Sequence, residues 1–203
     1  VIVLGGSAAI EKAAESGGYY KTVSFTPGRS DATQETTDVE SFSVLEPQSC
    51  GFRNHIGPNS IRSLPEKLVE QANLLTLNVT EMAVLVAGLR VLGANYNNSD
   101  LGVFTRNPQT LTNDFFVQIL DLGTVWKPSK SENNVYEGFD AKTSALKWKG
   151  TSFDLIFGSN SQLRAIAEVF AVDGAKEFFI DTFCNAWIKV MELDRFDLDN
   201  IKI

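Results

Sequence analysis

The sequence predicts a mainly α-helical protein, and three observations carry that prediction. Residues 76–96 place apolar side chains at helical spacing on almost every side, as expected for a helix that runs through the middle of a domain. Residues 63–75 and 159–190 carry further apolar stripes that repeat every three or four positions. Alternation of the β type is confined to residues 123–152, which predicts a small β-hairpin beside the helices.

The first sixteen residues, VIVLGGSAAIEKAAES, allow two interpretations. A strand that ends in Gly5-Gly6 and leads into a helix would indicate a nucleotide-binding βα unit. However, the GxGxxG spacing is absent, and no P-loop Lys-Ser/Thr pair follows. We favour an apolar helix that ends at Gly17-Gly18, because an isolated glycine pair is a weak indicator of a nucleotide site.

Residues 18–60 form a long polar segment that proline and glycine interrupt repeatedly, and we expect it to be loop-rich. Loops of this length in a compact domain are usually functional or packed against another unit. The segment contains His55, the only histidine of the chain, in the string GFRNHIGPNS. His55 could be a ligand or an acid or base, but a hydrogen-bonded loop residue is the more common role.

Two helix starts follow the loop-rich segment. Ser63 and Glu66 form the pattern of a capping box, and so do Asn78 and Glu81 at the start of the central helix. Gly93 is placed to end that central helix.

One charged residue, Arg90, interrupts the last apolar turn of the predicted central helix. A buried guanidinium group needs a partner for its charge and its N–H donors. We therefore expect Arg90 to point at a carboxylate, at backbone carbonyls or into a polar pocket.

The second half of the chain predicts shorter elements. Thr112 or Asn113 is expected to cap a helix that runs to Leu120. In the predicted hairpin, Trp126 and Trp148 are expected to bury one face. The alternative interpretation is that the two rings form an aromatic platform for a sugar or a base. The sequence places no basic groove beside them, which counts against this interpretation.

Two helices are predicted to close the chain. Ser159 or Ser161 is expected to cap the first of them, and Asp173 the second. The acidic tail, residues 194–203, is expected to be loosely held.

Charge and composition exclude several classes of partner. Acidic residues outnumber basic ones 25 to 18, and the net charge is −7. Since no run of Lys or Arg breaks this balance, neither nucleic acid nor an anionic membrane is an expected partner. No apolar run approaches the ~20 residues of a membrane-spanning helix. Cys50 and Cys184 do not form a disulfide framework, so a reducing, cytoplasmic location is expected, with an exported form left open.

The residues alone offer little catalytic chemistry. A Ser-His-Asp triad would have only His55 available, and no GxSxG motif accompanies it. A zinc site would need clustered Cys and His, and no spacing singles out a catalytic pair of carboxylates. Composition and spacing thus favour a non-catalytic domain with no catalytic residue, bound cofactor or metal site.

Several long strings nevertheless resemble a known family. They are MAVLVAGLRVLGANY, GVFTRNPQTLTNDFFVQILDLGTVWKPS and FDLIFGSNSQLRAIAEVFAVDGAKEFFIDTFCNAWIKVMELDRFDL, with VIVLGGSAAIEKAA and FTPGRSDA in support. All are similar to the C-terminal domain of catalase-peroxidases. The resemblance implies a haem-peroxidase-like helical fold, in which residues 1–203 are a single domain and the larger part of that C-terminal domain.

The resemblance also implies a division of labour within a longer parent protein. The parent would be a bifunctional enzyme that disproportionates hydrogen peroxide and oxidises small donors. Its N-terminal half would hold haem b, and the C-terminal domain would hold none. The expected partners of this chain are therefore the N-terminal haem domain and a second subunit of a homodimer.

The same resemblance identifies positions of a vestigial haem pocket. The family's haem-bearing helix reads like AGGHTFG, and the aligned stretch of this chain is AGLRVLG. The resemblance implies that Leu89 lies at the ligand position, with Arg90 beside it. Leucine has no lone pair to offer iron. Thr112 would replace the proximal tryptophan, Asp181 would keep the carboxylate that orients the axial histidine, and Leu74 would lie near the methionine of a Met-Tyr-Trp cross-link.

Three functions are consistent with this sequence. The favoured one is a structural domain that supports the haem half and the dimer. A peroxidase in its own right and a small-molecule binding module in the vacated haem pocket are the alternatives. We also expect Arg90 and Asp181 to approach each other in the vacated space, since each charge needs a partner.

Overall fold

Helices dominate the structure, which confirms the predicted fold class. The computed structural model describes residues 1–30, 32–45, 48–58 and 60–196. The helices in these ranges are α1 Ile2–Ser16, α2 Val39–Ser43, α3 Leu64–Leu74, α4 Val79–Val91, α5 Asp114–Ile119, α6 Ser152–Ser159, α7 Ser161–Ala171 and α8 Lys176–Glu192. The strands are β1 Ser49–Cys50, β2 His55–Ile56, β3 Thr124–Pro128, β4 Val135–Asp140 and β5 Leu146–Thr151.

Helix α4 is the central element, as its apolar surface predicts. It packs against α5, α7 and α8, and its side chains from Met82 to Gly88 are all buried. Its start is a capping box, in which Asn78 Oδ1 accepts from Glu81 N at 2.9 Å and Glu81 Oε2 accepts from Asn78 N at 2.8 Å. Gly93 follows the helix with a φ of +69°, a conformation that favours glycine.

Helix α1 confirms the helical interpretation of the first residues. Because Ile2–Ser16 form one helix, the alternative of a nucleotide-binding βα unit is wrong. The helix ends at Gly17-Gly18, as predicted, and Gly18 adopts a φ of +88°. Gly6 in α1 lets α8 approach closely, because a Cβ at this position would lie 2.9 Å from the Trp187 side chain.

The segment before α3 is loop-rich in the ranges that the structure describes, as expected. Its regular elements are a single 3₁₀ turn, the short helix α2 and a hairpin in which β1 pairs with β2. Residues 51–54 form the tip of this hairpin. Helix α3 then begins with the predicted capping box of Ser63 and Glu66.

The β region has one more strand than the sequence predicted. Strands β4 and β5 form the predicted hairpin, and β3 pairs with β4 to complete an antiparallel sheet in the order β3-β4-β5. Trp126 and Trp148 both lie opposite Gly138. Their rings pack on Phe104, with centroids 5.3 and 6.3 Å from its ring, so the predicted burial of one sheet face is confirmed.

The closing helices differ from the prediction at their starts. Helix α6 was not predicted as a separate element. Asn160, rather than Ser159 or Ser161, caps α7, because its Oδ1 accepts from two backbone N–H groups of the first turn at 3.1 Å. Asp173 does not cap α8, since Ala175 occupies that position. The predicted loose tail lies outside the described residues from position 197 onward.

None of the helices in the described ranges is long and apolar enough on its own to cross a membrane. Helices α3 and α4 reach the required length and composition only as a pair that is bent by 117°. Burial in the core already explains the apolar composition of α4.

Candidate functional site

The most unusual side chain of the interior is Arg90, in the last turn of α4. It is fully buried, with no exposed surface. Its Nε donates to Asp154 Oδ1 at 3.0 Å, and its Nη1 donates to Phe52 O at 2.7 Å and to Asn95 Oδ1 at 3.2 Å. Its Nη2 donates to Gly51 O at 3.4 Å. The guanidinium group thus has the carboxylate and the carbonyl partners that its burial requires.

Asp154 completes the pair from the first turn of α6, and it is also fully buried. Its Oδ2 accepts from Thr151 N and Thr151 Oγ1, both at 2.9 Å, and from Asn54 Nδ2 at 3.1 Å. Thr151 and Asp154 form a capping box, so the start of α6 also positions the carboxylate. Asp154 therefore has hydrogen-bond donors on both oxygens.

Close packing surrounds the carboxylate of Asp154. A Cβ on Gly102 would lie 2.6–2.8 Å from its atoms, and Gly102 adopts a φ of +80°. The ring of Phe153 lies 5.6 Å from the guanidinium carbon of Arg90. We name Arg90, Asp154, Asn54, Asn95 and Thr151 the arginine centre.

The predicted approach of Arg90 to Asp181 is wrong. Asp181 forms an ion pair with Lys21 at 2.6 Å, and its side chain is 44% exposed. The physical reason lies in α8, which turns Phe179 and Phe183 toward the core and therefore turns the intervening Asp181 away from it. The hydrogen bond with Asp181 also raises the pKa of Lys21.

The predicted ligand position at Leu89 is also out of register by one residue. Letter by letter, AGGHTFG lies over AGLRVLG with its histidine at Arg90. In the structure Arg90 is fully buried, whereas Leu89 is only partly buried. A guanidinium group has donors and no acceptor, so the position still offers iron no lone pair.

The two other predicted pocket positions do not join the arginine centre. Leu74 is 74% exposed at the end of α3. Thr112 is partly buried, and its Oγ1 accepts from Asp114 N at 3.4 Å. Of the vestigial positions that the sequence suggested, only Arg90 belongs to the centre.

The chemistry of the available donors does not fit a haem at this place. His55 lies in β2, where its ring stacks on Tyr96 with 3.7 Å between centroids. Burial raises the pKa of the Cys184 thiol to about 11, which disfavours the thiolate that would bind iron. Within the described ranges, no group of three or more His, Cys, Asp or Glu side chains could hold a metal ion.

Protein atoms fill the space around this centre. A Cβ on Gly88, two residues before Arg90, would lie 2.2 Å from Phe183 Cε2, so α4 and α8 are in direct contact there. Phe183 is itself fully buried. Arg90 and Asp154 have no accessible surface, so no cavity wide enough for a water molecule opens onto this pair.

Sequence reasoning missed four members of the arginine centre, namely Asp154, Thr151, Asn54 and Asn95. One signal could have found Asp154: the string TSFD has a Thr cap followed by an acidic residue three positions later. Asn54 and Asn95 lie in loops without periodicity. No local pattern marks them as partners of a residue in α4.

Comparison with known proteins places these observations in a family. A sequence model of the peroxidase family matches residues 1–173. Catalase-peroxidase 2 of Legionella pneumophila is 58% identical over 198 residues, which cover 98% of this chain and 26% of the relative. Catalase-peroxidase of Streptomyces ambofaciens is 58% identical with 98% and 27% covered, and that of Desulfatibacillum aliphaticivorans is 59% identical over 198 residues. The chain spans about a quarter of the length of the curated relatives it matches.

Proposed function

This chain belongs to the peroxidase family, and we propose that it is the non-catalytic C-terminal part of a catalase-peroxidase. In the proposed parent, hydrogen peroxide disproportionation and donor oxidation take place at the haem of the N-terminal half. The part described here supports that half from outside and contributes to a homodimer.

The observation that carries this proposal is the arginine centre. A helix that would offer an axial imidazole in a haem-bearing relative offers Arg90 instead, and Asp154 and two backbone carbonyls use its donors. On another face of α4, Gly88 lies against Phe183, so α4 and α8 pack directly on each other. Such a domain keeps the helical frame of a peroxidase and stabilises it with a buried ion pair and aromatic packing.

A small-molecule binding module remains the alternative from the sequence, but the described surroundings of Arg90 do not favour it. The space around the arginine centre is filled, and Arg90 has no exposed surface on which a ligand could form contacts. The scaffold role is therefore the one we develop.

A chimeric enzyme tests the proposed role. The matching segment of the Legionella pneumophila catalase-peroxidase 2 is replaced with this chain, and a second version lacks the segment. Because the segment is 58% identical, we expect the chimera to fold, bind haem and release oxygen from peroxide at a rate close to that of the parent. The version without the segment should lose most of this activity per bound haem, since the haem half then lacks its support.

Haem content, measured by pyridine haemochrome absorption, separates loss of activity from loss of haem. Sedimentation velocity reports whether the chimera remains a dimer. Full activity without the segment would contradict the scaffold role, and so would a haem-loaded dimeric chimera that is inactive.

A further inference from the structure

Three polar side chains meet on the surface directly above the arginine centre. The rings of His55 and Tyr96 stack with an interplanar angle of 18°, and the guanidinium carbon of Arg53 lies 5.7 Å from the Tyr96 ring. Arg53 is exposed, Tyr96 is 47% exposed, and His55 is partly buried. We call these three residues the Arg53 platform.

The polar groups of the Arg53 platform have no partners elsewhere in the described chain. Among the described residues, no carboxylate lies within ion-pair distance of Arg53, whereas Lys21, Lys147 and Lys189 each pair with an Asp or Glu side chain. Neither the ring nitrogens of His55 nor the hydroxyl of Tyr96 has a hydrogen-bond partner among the described residues. The platform therefore presents a guanidinium fork, an imidazole and a phenol to an external group.

The arginine centre holds one side of the platform from below. Arg90 donates to the carbonyls of Gly51 and Phe52, and Asn54 donates to Asp154, so three residues of the hairpin tip are fixed to the same buried ion pair. Arg53 lies between these anchored residues and His55 directly follows them. Their backbone positions are thus set by groups that are themselves fully or largely buried.

The other side of the platform is fixed to the same centre. Asn95 Oδ1 accepts from Arg90, and its Nδ2 donates to Leu101 O at 2.9 Å, which orders the loop that carries Tyr96. Tyr96 N then donates to Arg53 O at 2.8 Å and joins the two loops directly.

Three residues beside the platform adopt left-handed backbone conformations. Asn54, Asn97 and Asn98 adopt φ values of +52°, +54° and +54°, although none of them is glycine. Asparagine tolerates this conformation better than other non-glycine residues, as in many turns. These left-handed residues set the paths of the two loops that carry the platform.

A carboxylate fits the donors of the platform. The planar fork of arginine matches the two oxygens of a carboxylate, and a neighbouring N–H or O–H donor adds a further hydrogen bond. We propose that the Arg53 platform binds the carboxylate of an Asp or Glu side chain on the remaining three-quarters of the catalase-peroxidase. The choice of partner rests on the proposed function, whereas the carboxylate chemistry does not.

The chain itself supplies a probe for the first test. His55 is its only histidine, so the ring protons of His55 give one isolated pair of NMR signals. In this titration, acetate replaces chloride in the protein solution at constant ionic strength and pH, and the chemical shifts of the His55 ring protons are recorded at each step. We expect a saturable shift in the unaltered chain and a roughly tenfold weaker response in Arg53→Gln, because a charge-assisted pair of hydrogen bonds is lost.

Arg106→Gln is the matched control, since Arg106 is also exposed and has no ion-pair partner in the described ranges. Its response should equal that of the unaltered chain. A shift that never saturates, or one that Arg53→Gln leaves unchanged, would overturn the platform as a binding site. Saturation at lower concentrations of inorganic phosphate than of acetate would overturn its assignment to a carboxylate.

The second test identifies the partner in the chimeric enzyme. Arg53→Glu should lower the chimera's thermal unfolding midpoint and its peroxide turnover, and Arg106→Glu, with the same change in net charge, should not. Added salt should reduce the difference between the two variants, because a surface ion pair is screened. Equal behaviour of the two variants would overturn the proposed partner, while the turnover of the unaltered chimera reports separately on the scaffold role.

Discussion

Replacing Arg90 with leucine is expected to lower the free energy of unfolding by about 3–5 kcal/mol, the cost of leaving one partner of a buried ion pair without the other. Asp154 would keep its donors from Thr151 and Asn54 but would lose its counter-charge in an interior without exposed surface. The carbonyl of Phe52 would also lose its donor. Urea unfolding followed by tryptophan fluorescence measures the difference.

Two further variants make this result specific. Arg90→Leu combined with Asp154→Leu should recover a large part of the loss, because it removes the uncompensated charge. Arg164→Leu breaks the exposed pair of Arg164 and Glu168 and should cost no more than about 0.5 kcal/mol. If Arg90→Leu were as mild as Arg164→Leu, the arginine centre would not be an energetic element of the fold.

Replacing Gly88 with alanine is the second change with a large expected effect. The added methyl group would lie 2.2 and 2.3 Å from two ring carbons of Phe183, so α4 and α8 would have to separate or Phe183 would have to leave its position. Overpacking of this kind costs about 1–3 kcal/mol. The loss should outweigh the gain of up to about 1 kcal/mol from the higher helix propensity of alanine.

The same substitution at Gly5 is the control, since a Cβ there would have nothing within 4 Å. Gly5→Ala should leave stability unchanged or raise it slightly. Phe183→Leu in the Gly88→Ala background should restore part of the loss by shortening the opposing side chain. Equal urea midpoints for Gly5→Ala and Gly88→Ala would contradict the close contact of α4 and α8.

The helices that the sequence predicted well are those whose local signals agree with their burial. Helix α4 combines a capping box at Asn78 with an apolar surface and a glycine stop at Gly93, and all three features are present in the structure. The start of α3 at Ser63 follows from the same kind of pattern. Caps and periodicity are local, so a single sequence contains them in full.

Elements whose boundaries depend on competition between neighbours were predicted less well. Several residues near the start of α7 can act as caps, and only the backbone path selects Asn160. Strand β3 has no independent signal, because its formation depends on pairing with β4. Helix α6 follows β5 without a loop, so only a change of period from two to 3.6 residues and the short TSFD capping pattern indicate its start.

The partner of Arg90 illustrates the limit at the candidate site. The sequence required a partner for the buried charge and suggested Asp181, a residue that the family resemblance singled out. The structure provides Asp154, which is 64 positions away in the chain and belongs to a helix that was not predicted. The need for a counter-charge follows from elementary electrostatics, but its identity follows only from the tertiary structure.

A haemin titration of the 203-residue chain, followed by the Soret absorption band, tests the central claim most directly. The claim is that Arg90 and its partners replace the haem ligand and fill the interior of a peroxidase fold. It predicts that the chain develops no stoichiometric Soret band that depends on one of its own residues, and that His55→Ala and the unaltered chain titrate alike. A band that saturates at one haem per chain and disappears in His55→Ala or changes in Arg90→Leu would contradict it.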